Sequence, residues 1–504
     1  MKLAKTHSIS LFGLSGTVIE VEADISSNLP GFVLVGLPDA SLNESTARVR
    51  AATVNSGLSL PQRKITVNLS PASVPKHGSS FDLAIALSAL RAAGLVGGEG
   101  ITETVFIGEL ALDGRIKPVR GVLPMVLAAK SSGFSKVVVP LENLTEAELI
   151  EGIEVSGYDH LTQVARYFGA NCPVVKPIKR VRLESLQECS TKCFSEVLGQ
   201  NSAIDALTVA AAGGHHLLMV GPPGAGKTML AERLPGILPK LKHEQVVENL
   251  AIQSLAKADP GKASNLVPFM APHQTASLAS MVGGGSGSPR PGIISLANNG
   301  ILFLDEAPEF QTPVLDSLRQ PLESGTITIS RASGQAIFPA RFQLVLAANP
   351  CPCGFSVGSG KACMCTGGQR AKYFSRISGP LSDRIDLRLE LNQVNAKQIS
   401  SGEPGPISED LAARVAVARA IAEKRLVGTP WVKNSQVPGT YLRKQLRLPT
   451  QVSRPLDAAL DKAVITMRGY DRILRLAWTV ADLSGNTQPT ADDLALAMYY
   501  RGSA

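Results

Sequence analysis

"HLLMVGPPGAGKTMLAERL", residues 216–234, decides the fold of this chain. The apolar run from Leu217 to Val220 reads as a buried strand, and the run after Lys227 has the apolar spacing of an amphipathic helix. Between them, Gly221 to Thr228 spell G-x-x-x-x-G-K-T. A glycine-rich turn from strand to helix leaves backbone N–H groups free to wrap an anion. The helix N-terminus adds the positive end of its dipole. Gly221, Pro222, Pro223, Gly224, Ala225, Gly226, Lys227, Thr228 and Met229 are therefore expected to hold the phosphates of ATP. Lys227 would neutralise the β- and γ-phosphates, and Thr228 would hold Mg²⁺.

Two further strands complete the pattern. In "GILFLDEAPEF", residues 300–310, four apolar residues end in Asp305 and Glu306. Asp305 is placed to bind the magnesium and Glu306 to polarise an attacking water. "FQLVLAANP", residues 342–350, ends in Asn349, whose amide could orient that water. Strand, turn, helix and strand in this order predict an α/β core with a parallel sheet over residues 194–395.

Working outward, residues 1–168 alternate strand-like runs with helical stretches near 41–56 and 81–93, an α/β domain with its own core. Residues 169–193 have prolines, basic residues and no period, and read as a linker. Residues 396–504 are almost wholly helical, as in "EDLAARVAVARAIAEKRL". With 504 residues, 44% hydrophobic and 18% charged, the chain can bury several cores, which excludes a disordered protein. No uninterrupted apolar window is long enough for a membrane span, and the N-terminus lacks the apolar core of a signal peptide. A cytoplasmic, membrane-free protein is expected. The net charge of +8 favours an anionic partner such as nucleic acid.

Four of the seven cysteines lie in "ANPCPCGFSVGSGKACMCTGG", residues 348–368. Cys351, Cys353, Cys363 and Cys365 form two Cys-x-Cys pairs, and the glycines between them permit the turn that would join the pairs. Four thiolates close a tetrahedral Zn²⁺ shell and leave no open position for substrate, which is a structural rather than catalytic metal. Free or redox-active thiols are the competing reading. Cys172, Cys189 and Cys193 have no such spacing.

P-loop, Asp-Glu strand end, strand-end Asn and C-terminal helical lid together resemble the AAA+ ATPases. "PRPGIISLANNGILFLDEAPEF", "SGPLSDRIDL" and "MRGYDRILRLAWTVADL" are similar to the magnesium-chelatase-like branch, and the whole chain resembles the bacterial ComM/YifB proteins. The resemblance implies a homo-hexameric ring with ATP at subunit interfaces. It implies that Arg384 is an arginine finger reaching a neighbour and that Arg468 is a lid arginine sensing its own subunit's nucleotide. Trp478 departs from the pattern, which would have Arg there, and is expected to pack in the core. The segment 271–292 corresponds to an inserted hairpin. "GTITISRASGQAIFPARFQ", residues 325–343, alternates about a turn and reads as a second hairpin. Such hairpins line the pore in similar motors, so Arg331 is the expected phosphate contact, with Lys361 as a second DNA contact.

"VPKHGSSFDLAIALSAL", residues 74–90, resembles the Lon protease domain, with Ser80 at the nucleophile position. Leu123 stands where the resemblance requires the activating lysine, so a non-proteolytic scaffold is expected. Taken together, the resemblance implies an ATP-driven helicase promoting branch migration of single-stranded and branched DNA during natural transformation, with a recombinase as a further partner. A magnesium chelatase subunit is the first rival; the Lon-like domain and the cysteines argue against it. A protein remodeller is the second; the polar, basic "SRASGQ" argues against that.

Overall fold

A computed structural model of the chain describes residues 3–36, 42, 44–76, 78–176, 192–256, 264–285, 289–331, 334–356, 363–393 and 404–502. Lys361, Cys189 and most of the expected linker lie outside them.

The N-terminal part is a seven-stranded mixed sheet. Its order is Gly31–Val35, Lys64–Ser70, Ser15–Ser26, Ala4–Phe12, Thr104–Phe106, Lys136–Pro140 and Glu154–Tyr158. Strand Lys64–Ser70 alternates buried and half-buried residues, the period-two pattern of a sheet with one well-covered face. Helices Asp82–Ala92 and Val122–Ser131 supply cover, and the first is buried at every position from Asp82 to Leu90. Asp82 survives there because Arg48 pairs with it at 2.7 Å and the Leu110 N–H donates to it. Leu123 is fully buried, which suits a leucine and would not suit a free lysine. Among the described residues no lysine or histidine side chain hydrogen-bonds Ser80. Lys117 and Lys130 are exposed, the latter bound to the Glu151 carbonyl at 2.6 Å.

The second sheet is wholly parallel, in the order Phe269–Met270, Ile301–Leu304, Gln343–Ala348, Leu217–Val220 and Leu387–Glu390. Its central strands are buried on both faces, which explains why they read as continuous apolar runs instead of alternating ones. The fold is therefore α/β with a parallel core, as expected. Helices Ser408–Arg425, Gly439–Lys444, Thr450–Asp461, Met467–Ser484 and Ala491–Arg501 make the helical end. They share one apolar core with the strand Leu217–Val220 and helix Asn201–Gly213, through Val415, Leu476, Trp478 and Leu494. Trp478 is buried as expected, donates Nε1–H to the Leu446 carbonyl at 3.3 Å and lies under the Arg425 guanidinium at 4.4 Å.

The hairpin expected at 325–343 is present as Thr326–Arg331 against Gly334–Pro339. The segment 271–292 carries its expected hairpin in short form, behind a helix not expected from the sequence. Its described part is a short helix, Leu278–Val282, and a two-residue ladder, Gly283–Gly284 with Arg290–Pro291.

Candidate nucleotide site and cysteine cluster

The parallel register builds the site. Val220 pairs with Ala348 and Leu304 with Leu346, so Gly221, Asp305 and Asn349 leave the sheet along one edge. The carboxyl ends of parallel strands are where such sheets bind ligands. Gly226 takes a left-handed conformation, φ +84°, which turns the chain into helix Lys227–Arg233. Lys227 is only 8% exposed. Its Nζ donates to the carbonyls of Gly221 at 2.6 Å and Pro222 at 3.0 Å, and to Asn349 Oδ1 at 3.0 Å. All three acceptors are neutral, so the ammonium keeps a full charge for an anion. Burial holds its pKa below the usual lysine value, with Asp305 and Glu306 pulling the other way.

Thr228 Oγ1 donates to Asp305 Oδ2 at 2.6 Å. A hydroxyl and a carboxylate meeting at one point are the hard oxygen donors that Mg²⁺ takes. Glu306 follows, exposed and in the left-handed region at φ +51°, where a residue with a side chain sits at a cost. Its N–H donates to Asp305 Oδ1 at 2.9 Å, which helps fix the turn at the strand end.

Arg384 and Arg468 are brought together elsewhere. They line one pocket of about 260 Å³ with Glu323, Asp383, Arg472 and Arg475. Arg384 pairs with Glu323 and donates to the Pro380 carbonyl at 2.5 Å, while its Nε is buried without a partner. Burial and the charges of Arg472, Arg468 and Arg319 push its pKa below the usual guanidinium range. The pocket thus has spare positive potential suited to an anionic group. Arg468, read from the resemblance as sensing its own subunit, hydrogen-bonds Asp383 at 3.3 Å beside Arg384.

A buried polar network ties this pocket to the P-loop strand. His215 bonds Asp386 at 3.3 Å through Nδ1 and Thr479 at 2.8 Å through Nε2. Arg472 pairs with Asp386 and donates to the Arg384 carbonyl at 3.1 Å. Burial alone would raise the Asp386 pKa, yet Arg472 and His215 hold it far below the carboxylate range. Burial lowers His216 to about 4, so it is neutral and accepts the Leu344 N–H at 3.0 Å. Sequence reasoning missed Glu323, His215 and Arg472, and Asp386, adjacent to the Arg384 segment, pairs with Arg472 and not with Arg384. The charge pair inside "SDRID" and the two histidines before an apolar run were the only local signals.

The four cysteine sulfurs lie within 4.8 Å of one another. The Sγ separations are 3.3 Å for Cys351–Cys353, 3.6 Å for Cys351–Cys363 and 3.7 Å for Cys353–Cys363. A tetrahedral zinc thiolate site has an edge of about 3.8 Å, so this donor set fits that ion. The cluster also touches the P-loop. A Cβ on Gly354 would fall 2.7 Å from Pro223 Cδ, so only glycine lets the cysteine loop approach so closely. Arg331 is exposed beside its hairpin turn.

Three family profiles match successive parts of the chain. "Magnesium chelatase, subunit ChlI" matches residues 193–399, "Subunit ChlI of Mg-chelatase" residues 21–143, and "Magnesium chelatase, subunit ChlI C-terminal" residues 405–501. Competence protein ComM of Haemophilus influenzae is 38% identical over 99% of this chain and 98% of its own length. YifB of Escherichia coli is 39% identical over 99% and 97%. Lon protease of Mycolicibacterium smegmatis is 30% identical over 29% of this chain and 20% of its own. With an α/β P-loop core, a helical end and matches that run from end to end, this chain belongs to the ComM/YifB family of magnesium-chelatase-like AAA+ ATPases.

Proposed function

We propose that this chain is an ATP-driven, ring-forming DNA motor that moves branches and helps single strands enter a duplex. The observation that carries the DNA reading is the hairpin Thr326–Arg331/Gly334–Pro339, which ends on an exposed arginine in a chain of net charge +8. The name of the Haemophilus relative, a competence protein, supports the setting of natural transformation.

Magnesium-bound ATP would supply the phosphoryl group and the free energy of its transfer. Lys227 and the backbone of Gly221 to Thr228 bind its phosphates, and Thr228 and Asp305 hold the ion. Glu306 takes the proton of the attacking water, and Asn349 holds that water and Lys227 in line. Arg384 and Arg468 share one pocket, so both serve the nucleotide of the neighbouring subunit in a ring. The cysteines hold structural zinc and brace the loop that lies against Pro223.

Purified protein should hydrolyse ATP several-fold faster with forked or branched DNA than without it, and should move the branch. Hydrolysis indifferent to every DNA tested would sink the motor reading. For the cysteines, elemental analysis should find about one zinc per chain, and none in Cys353→Ser. Because the cluster touches the P-loop, that variant should also bind a fluorescent ATP analogue at least about tenfold more weakly. A metal-free wild-type chain with full affinity would reject the zinc assignment.

A further inference from the structure

We infer that the N-terminal domain positions the hairpin that carries Arg331, with Phe12 as the positioning residue. The inference rests on the DNA reading above only for what the hairpin touches. A two-stranded ribbon is marginally stable by itself, and this one pairs with no other strand among the described residues. One of its faces is buried through Ile327, Ile329, Ala336 and Phe338, while Ile337 on the other face is 57% exposed. Part of what covers the buried face belongs to the N-terminal domain. Leu11, Phe12 and Leu14, around the turn between strands Ala4–Phe12 and Ser15–Ser26, pack on the same apolar cluster.

The contact reaches the hairpin's end. A Cβ on Gly334 would lie 3.3 Å from the Phe12 ring, and one on Gly13 would lie 3.0 Å from Ala336 Cβ. Gly334 is the register partner of Arg331. The Phe12 ring therefore seats on the residue directly across the ladder from the arginine.

A second hold fixes the base. The Gly121 N–H donates to the carbonyl and the hydroxyl of Ser254 at 3.0 and 3.1 Å. Ser254 lies on helix His243–Ala256, whose Leu250 and Ala251 complete an N-terminal apolar cluster. Glu248 of that helix pairs with Arg341, two residues after the hairpin ends at Pro339. The domain thus grips the ribbon near its tip and, through one helix, at its foot. Two holds on one short ribbon fix its direction.

The test uses Phe12→Ala in the full chain. Hydrogen exchange over residues 326–339 should quicken by on the order of tenfold, with basal hydrolysis without DNA within about twofold of wild type. DNA stimulation should fall as in Arg331→Ala, and the double variant should be no worse than Arg331→Ala alone, because both changes act through one element. A merely structural loss would instead add to it. If Phe12→Ala does not fold, Ser254→Ala loosens the foot and should quicken the same segment. Unchanged exchange over 326–339 overturns the inference whatever DNA does. Faster exchange with DNA stimulation intact in Arg331→Ala upholds the brace and rejects the DNA contact.

Discussion

Alanine at Lys227 should reduce ATP hydrolysis by at least about 10²–10³-fold, the usual loss when one preorganised charge facing a transition state is removed. The expectation follows from how the ammonium is held. It is buried, bound only to neutral oxygens, and fixed by two carbonyls and an amide before any ligand arrives. Little reorganisation is left for the moment of reaction. The same geometry predicts that stability will not fall in step. Burial disfavours the charged lysine in the free protein, so its removal relieves a desolvation cost while losing three hydrogen bonds. The melting temperature should stay within a few degrees of wild type, and nucleotide affinity should drop. Glu306→Gln offers the contrast. Its side chain is exposed and lies outside the Lys227 and Thr228–Asp305 contacts, so the variant should bind nucleotide and fail to cleave it. Phosphate release and binding of a fluorescent analogue, measured on both variants, separate the two roles. Hydrolysis in Lys227→Ala within about fivefold of wild type would remove the P-loop from the chemistry.

What was legible in the sequence was what is local. The P-loop, the Asp305–Glu306 strand end and Asn349 are each written within a dozen residues, and the parallel sheet that brings them together follows from their order. The hairpin near 331 was legible for the same reason: alternation and a turn are short-range signals. The cysteine spacing announced a cluster, but its contact with Pro223 depends on a loop folding back more than a hundred residues along the chain. The Arg384–Glu323 pair and the His215–Asp386–Arg472 network join residues 61 to 171 positions apart, or farther through Thr479, and no periodicity encodes such pairings. The same holds for Phe12 and Gly334. An apolar turn near the N-terminus has no local feature that names its partner. In 271–292 the resemblance announced the hairpin, present as the short Gly283–Gly284/Arg290–Pro291 ladder, but no residue pattern announced the Leu278–Val282 helix before it.

Arg384→Ala should reduce hydrolysis by about a thousandfold or more if the arginine meets the γ-phosphoryl group of a neighbouring subunit, the scale seen for arginine fingers supplied in trans. In the single chain this guanidinium is turned to Glu323 and Pro380, beside strand Leu387–Glu390. That strand borders the P-loop strand on the side away from Asp305. The contacts Lys227 makes are with Gly221, Pro222 and Asn349, and none involves the arginine pocket. If Arg384 works on a phosphate while its bonds go to its own subunit, a partner's site is the simplest place for that phosphate. Mixing decides it. Lys227→Ala chains keep Arg384 but have a dead P-loop, and Arg384→Ala chains keep a P-loop but lack the arginine. Neither alone should turn over. In a random equal mixture about a quarter of the heterologous interfaces join an intact P-loop to an intact arginine, so activity should return toward that fraction. Arg468→Ala in place of Arg384→Ala should complement in the same way, because the two arginines share the pocket. If Arg384→Ala hydrolyses normally alone, its role is structural, through the Glu323 ion pair and the Pro380 carbonyl it binds. If it is dead alone and mixing restores nothing, the arginine acts within its own subunit, and the lid must close further over the P-loop than the contacts between Arg468 and Asp383 now allow.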